Sequence, residues 1–193
     1  MDTEDGITAV RAARAFAEAE TMCGVAEFQL SGPFLEKKGV FVTISKFPSG
    51  DLRGCIGYPE PIFPIKDALR MAAEGAINDP RFTPLTSDEA EKCTFEVTIL
   101  TVPEEIEYSS ENELISKIVI GRDGLIISYS GRRGLLLPQV PLEFEWDVKE
   151  YLEHLSMKAG LPKYAWKEQG VKIESFQGEI FSETSPRGDV VRK

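Results

Sequence analysis

The run Leu52-Arg53-Gly54-Cys55-Ile56-Gly57 is the most specific stretch of this 193-residue chain. Read as a β-strand, it sets Leu52, Gly54 and Ile56 on one face and Arg53, Cys55 and Gly57 on the other. A guanidinium would then stand beside a thiol. The thiolate is the reactive form, and a neighbouring arginine draws a thiol below its free pKa of about 8.5. Cys55 is therefore a candidate nucleophile, and Arg53 the candidate group that lowers its pKa. Glycine inside a strand marks a bulge or the close approach of backbone or ligand, which brings Gly54 and Gly57 into the candidate site. The competing reading is packing alone, with Cys55 a small buried hydrophobe, Arg53 a structural ion-pair donor and the glycines conformational necessities.

Immediately upstream, Val40 to Ser45 is a β-branched run, and Pro48-Ser49-Gly50-Asp51 reads as the turn of a hairpin whose second strand carries the cysteine. Downstream, Pro59, Pro61 and Pro64 break the sheet. Ile65 to Asn78 then has the period of an amphipathic helix, with Ile65, Leu69, Ala72, Ala73, Ala76 and Ile77 on its apolar face. Asp79-Pro80-Arg81-Phe82 ends it, because the residue before a proline is pushed out of the α region. Arg81 is a candidate to bind a carboxylate or phosphate, and Asp79 a candidate to orient it. Thr86 and Glu89 have capping-box spacing. Cys93 to Val102 alternates as a half-buried strand with Glu96 on its more polar face.

Toward the ends, Ile7 to about Met22 reads as an alanine-rich helix stopped by Gly24. The apolar runs between Ile118 and Leu137, split by Gly121-Arg122-Asp123-Gly124 and Ser130-Gly131-Arg132-Arg133-Gly134, predict two tight hairpins in a small lobe of roughly residues 112–142. Glu104, Glu105, Glu107, Glu111 and Glu113 read as a solvated surface. Asp147 caps a helix whose apolar face omits His154, the one histidine, so that side chain reads as surface or packing. A short helix around Trp166 and a final strand from Val171 to Ser182 follow, and the end of the chain from Pro186 reads as frayed.

Composition narrows the function. There are 22 Lys and Arg against 32 Asp and Glu, for a net charge of -10, so phosphate-backbone binding lacks its basic surface and no nucleic-acid partner is expected. The cysteines at 23, 55 and 93 make neither a CxxC pair nor a disulfide framework, and no zinc spacing exists. A reducing cytoplasm is the expected location. The acidic start MDTEDGITAV is unlike a signal peptide, and no apolar run approaches the roughly 20 residues that span a bilayer, so no membrane association is expected.

The motif LRGCIG at 52–57 resembles the signature of the AMMECR-type domain family, and the likeness extends through Gly39-Val40-Phe41-Val42-Thr43, Asp79-Pro80-Arg81-Phe82 and Phe95-Glu96-Val97-Thr98-Ile99-Leu100. It continues through Gly131-Arg132-Arg133-Gly134, Leu136-Leu137-Pro138-Gln139-Val140 and the Trp146 to Leu161 segment, covering about Gly6 to Glu183. The resemblance implies one domain over 1–193, of α+β class: a larger lobe with an antiparallel sheet flanked by helices, and a small hairpin-rich lobe inserted late in the chain. It names no activity. It places relatives beside Memo-like and radical-SAM-like proteins, an association with a modification pathway.

Two functions remain open. One is a cleft in which Arg53, Gly54, Gly57, Asp79, Arg81, Glu96 and Arg132, with Arg133, bind an anionic small molecule or a partner peptide. The other is a cysteine enzyme of acyl or alkyl transfer using Cys55, which lacks an obvious base: the one histidine, His154, lies far along the chain, and without it Arg53 or a carboxylate such as Glu96 would have to serve. No metal or cofactor is expected.

Overall fold

A computed structural model describes all residues 1–193. The chain forms α1 (Thr3–Thr21), a 3-10 turn at Gly32–Leu35, β1 (Val40–Lys46), β2 (Leu52–Tyr58), α2 (Ile65–Ile77), α3 (Ser87–Ala90) and β3 (Cys93–Leu100). It continues through β4 (Glu104–Glu105), α4 (Glu111–Lys117), β5 (Gly124–Tyr129), β6 (Arg132–Leu136), α5 (Val140–Glu143) and α6 (Val148–Lys158). A 3-10 turn at Ala165–Lys167 and β7 (Lys172–Phe176) lead to β8 (Gly178–Glu183) and β9 (Val190–Arg192). These elements make two compact units, Met1–Leu100 with Glu179–Lys193, and Thr101–Gly178.

The first unit is built on a five-stranded sheet of order β2-β1-β3-β8-β9, antiparallel at β1–β2, β1–β3 and β8–β9. Alternation divides its faces. Val40, Val42, Ile44, Phe95, Val97 and Ile99 are buried on the side where α1 and α2 pack, whereas Phe41, Thr43, Ser45, Thr94, Glu96 and Thr98 stay half-buried on the other. Each buried Val, Ile or Phe contributes roughly 1.5–3 kcal/mol. Small residues set how close the helices come. A Cβ on Gly54 would lie 2.0 Å from the Ala76 carbonyl oxygen, so the α2 backbone rests directly on β2.

The last strands are tied in by a buried ion pair. Glu183 accepts from Arg14 Nε at 2.8 Å and Nη2 at 2.5 Å, and from the Phe95 N–H at 3.1 Å. The same guanidinium donates to the Ala90 and Cys93 carbonyls and lies 4.3 Å from the Phe95 ring centroid.

The second unit carries a four-stranded sheet, β4-β7-β5-β6. Leu125 and Ile127 of β5 bury against Leu114 of α4, Tyr151, Leu152 and Leu155 of α6, and Trp166. Ser130 and Gly131 both have positive φ, which matches the twist of the β5–β6 hairpin. Residues 112–142 fall inside this unit and take cover from α6 and β7, which follow them in the chain.

Four sequence expectations change. α1 starts at Thr3, because Asp2 accepts the Asp5 N–H as its cap, and it ends with Cys23 rather than Gly24 in the left-handed region. Only one hairpin forms between 118 and 137: the stretch 118–123 is a turn held by buried Asp123, which accepts from the Val119 N–H and from Arg122. The single strand expected from Val171 to Ser182 is two, β7 and β8, in different sheets, parted at Gln177, whose N–H turns aside to Thr101 Oγ1. The end is not frayed: β9 pairs with β8, and Arg11 holds the Arg187 and Gly188 carbonyls.

Replacing Gly54 with alanine forces a methyl against a carbonyl that only a shift of α2 can relieve. Urea denaturation of Gly54→Ala is expected to show a loss of at least about 2 kcal/mol. Gly24→Ala, whose Cβ would meet nothing nearer than 3.4 Å, should stay within about 0.5 kcal/mol of the parent.

Candidate functional site

Cys55 lies opposite Thr43, and Thr43 opposite Glu96, so the three form one row across β2, β1 and β3 on the face away from the helices. Thr43 Oγ1 donates to Cys55 Sγ at 3.2 Å, and Glu96 meets Lys193 Nζ at 2.5 Å. β2 is an edge strand, so the Cys55 amide and carbonyl would otherwise be open to another strand. Instead Asp79 Oδ2 accepts the Cys55 N–H at 2.8 Å, and Arg81 Nη2 donates to the Cys55 carbonyl at 3.2 Å. The end of α2 thus covers the edge with a carboxylate and a guanidinium, presenting one acceptor and one donor as a neighbouring strand would.

Asp79 is 2% exposed and accepts four hydrogen bonds, from the Cys55 N–H, the Arg81 N–H, Arg81 Nε and Arg81 Nη2. The Arg81 side chain, helped by the two backbone donors, holds its carboxyl well below the usual carboxylate range against the opposing effect of burial. Asp79 in turn raises the Arg81 pKa. Arg81 remains 55% exposed, and none of its hydrogen bonds uses Nη1. One edge of an oriented guanidinium therefore faces solvent beside Cys55.

Arg53 does not follow the expected alternation. The register jumps from Ile44↔Gly54 to Ser45↔Leu52, leaving Arg53 as the extra residue of a bulge. Its Nη2 donates to the Thr83 carbonyl at 2.9 Å and to Glu89 at 3.1 Å, and the side chain is buried. The cation whose charge meets Cys55 is Arg81; that of Arg53 meets Cys93. The Thr86 N–H, and then Arg53, hold the Glu89 carboxyl low, while burial pushes the Cys93 thiol up. Phe82 stands between the two arginines, with its centroid 5.7 Å from the Arg53 guanidinium carbon and 5.8 Å from that of Arg81.

Both glycines have packing partners. Gly54 lies under α2, and a Cβ on Gly57 would lie 2.2 Å from the Phe41 ring. Arg132 and Arg133 belong to the second unit, where Arg132 donates to the Gly160 carbonyl and Arg133 is 3.7 Å from Glu174. His154, also in that unit, stacks on Trp146 with centroids 3.8 Å apart. No group of three or more His, Cys, Asp and Glu side chains is arranged to hold a metal ion. Thr43, Phe82 and Glu89 were missed as site neighbours. The register beside the turn, Ser45 opposite Leu52, would by itself set Val42 opposite Cys55; the bulge at Arg53 shifts it by one and brings Thr43 there.

The AMMECR1 family model matches residues 8–181. This chain belongs to the AMMECR1 family. Protein MJ0810 of Methanocaldococcus jannaschii is 51% identical over all of this chain and 97% of its own length. Protein Ta0236 of Thermoplasma acidophilum is 45% identical over 97% of this chain and 92% of its own. The crystal structure of the uncharacterised protein PH0010 from Pyrococcus horikoshii superposes with a TM-score of 0.79 at 42% identity, covering 100% of this chain and 98% of that one. The fold of this AMMECR1-family chain is α+β with antiparallel sheets flanked by helices, and no helix is long and apolar enough to cross a membrane.

Because the Asp79 pKa is depressed on folding, its stabilisation is complete above the unfolded carboxylate value of about 3.9 and is lost as pH falls through the lower folded value. Asp79→Ala is expected to lower stability near neutral pH by about 2 kcal/mol, since it strands the half-buried Cys55 N–H and frees Arg81. Thermal melts from pH 7 down to 2 should show the gap between parent and variant narrowing only below about pH 4.

Proposed function

We propose that this AMMECR1-family protein binds an anionic small molecule, or the carboxylate of a peptide, at the β2 edge around Cys55. The observation that carries this reading is Arg81, locked by Asp79 yet spending none of Nη1 inside the protein. A guanidinium already ordered by a buried carboxylate loses little freedom on binding a ligand carboxylate or phosphate. Arg53 supports the site from beneath by fixing Thr83 and Glu89, and it holds no ligand itself. Calorimetric titration with succinate and with inorganic phosphate tests this. Arg81→Ala should weaken the bound anion by about tenfold or more, Arg81→Lys should recover part of the affinity, and Cys55→Ser should leave it unchanged. Equal affinity in Arg81→Ala removes the reading.

A second reading is favoured by the hydrogen bond from Thr43 Oγ1 to the half-buried Cys55 sulfur, which fixes the direction of that sulfur. Here Cys55 adds to a substrate carbonyl, forming a C–S bond. The leaving group then departs with the proton the thiol gave up, and Arg81 holds the anionic part of the substrate. The discriminating measurement is iodoacetamide alkylation resolved by peptide. Exposed Cys23 is the internal reference and buried Cys93 the negative control. A nucleophilic Cys55 reacts faster than Cys23 in spite of lower exposure, and Thr43→Val slows it. A Cys55 slower than Cys23 leaves binding as the function.

A further inference from the structure

The second unit carries three aromatic rings in a stack. Trp146 lies on His154 at 3.8 Å and 5° between planes, and Phe144 lies on Trp146 at 4.9 Å and 16°. The stack ends in the open: Phe144 is 61% exposed, and Leu142 beside it 57%. Two near-parallel ring pairs in series leave the outer face of Phe144 as a flat, unpartnered π-surface. Exposed apolar side chains gathered into one patch mark interaction sites, whereas singly scattered ones do not.

The flanking residues say what that something is. Glu143 and Glu145 bracket Phe144, both are exposed, and neither takes part in any of the chain's ion pairs. The run Leu142-Glu143-Phe144-Glu145-Trp146 therefore presents apolar and acidic side chains in alternation. A cation that is also flat satisfies both at once, stacking on Phe144 while its donors meet the carboxylates. Arginine fits this description; lysine, a compact point charge, lacks the plane that lies flat on a ring and the fork that pairs with two carboxylates. A net charge of -10 repels phosphate-bearing partners from the same surface.

The backbone fixes this run in place. α5 ends in a Schellman turn, with the Trp146 N–H bonding the Pro141 carbonyl at 2.9 Å and the Glu145 N–H the Leu142 carbonyl at 3.4 Å. Glu145 occupies the left-handed position of that turn at φ 55°, where glycine is favoured. Cys23 takes the same conformation after α1, so at Glu145 it ends α5 and sets the turn from Phe144 to Trp146.

We propose that the Leu142–Trp146 surface docks an arginine-bearing peptide segment of another protein, the guanidinium forming the fourth layer of the His154–Trp146–Phe144 stack and pairing with Glu143 and Glu145. The experiment titrates the isotope-labelled full chain with acetyl-Gly-Leu-Arg-Leu-Gly-amide and with its lysine and citrulline counterparts, followed by NMR. The arginine peptide shifts the Trp146 indole N–H and the amides of 142–146; the lysine peptide binds about fivefold or more weaker, and the citrulline peptide weaker still. Phe144→Ala weakens the arginine peptide by about tenfold. Glu145→Gly also weakens it while raising the melting temperature, because it relieves the left-handed strain, a combination that a structural role for Glu145 does not produce. Three results overturn the proposal: no shifts at millimolar peptide, equal affinity for the arginine and lysine peptides, or sedimentation showing that the chain self-associates through Phe144, which would make a second copy the occupant.

Discussion

The Asp79 carboxylate, out of water and accepting four hydrogen bonds, is the constraint on which the local architecture of the Cys55 edge depends. It can reach the Cys55 amide only because the end of α2 lies directly on β2, and it lies there only because Gly54 has no side chain. The proline that follows Asp79 ends the helix at that point, so the turn that carries the carboxylate also carries Arg81 back to the Cys55 carbonyl. A missing methyl, a helix stop and an ion pair act as one device. Its product is an edge strand closed to further pairing at Cys55 while the side chain of Cys55 remains on the open face of the sheet.

Much of this frame was legible in the residues. The β1–β2 hairpin, α2, the Thr86–Glu89 and Asp147–Glu150 capping boxes and the alternation of β3 all follow from period and turn chemistry, and each forms. The pairing of Asp79 with Arg81 was readable from their spacing around Pro80. The position of Arg53 was not, because a bulge is a property of two paired strands and the extra residue shows only once Ser45 has a partner. The division of Val171 to Ser182 between two sheets was hidden for a similar reason. Apolar alternation reports that a residue faces a core and carries no label for which core. Capture of the tail by β8 rests on Arg11 and Glu18, some 170 positions earlier, which no local window contains.

The two units solve the same packing problem by different means. In the first, alanines along α1 and α2 let helices settle close to the sheet, and the polar device sits at its edge. In the second, bulky side chains do the filling, and the buried polar atoms are met singly: the Tyr151 hydroxyl by the Leu136 and Asp123 carbonyls, Asp123 by Arg122 and Gln177. The Trp166 indole N–H is the one buried side-chain donor left without a partner. Its neighbour Lys167 lies over the ring and pairs with Glu111, so the residue is fixed by its faces rather than by its nitrogen.

The return of Glu183 to Arg14 also governs the order in which the protein can be made. The first unit needs residues 179–193, so as the chain leaves the ribosome β3 waits with an open edge, and Arg14 has only Glu18 of its own helix as an ionic partner until Glu183 arrives. The second unit is continuous and is complete in sequence before the first can close. Residues 179–193 thus close the first unit only after the whole of the second has been made, and they act as its latch.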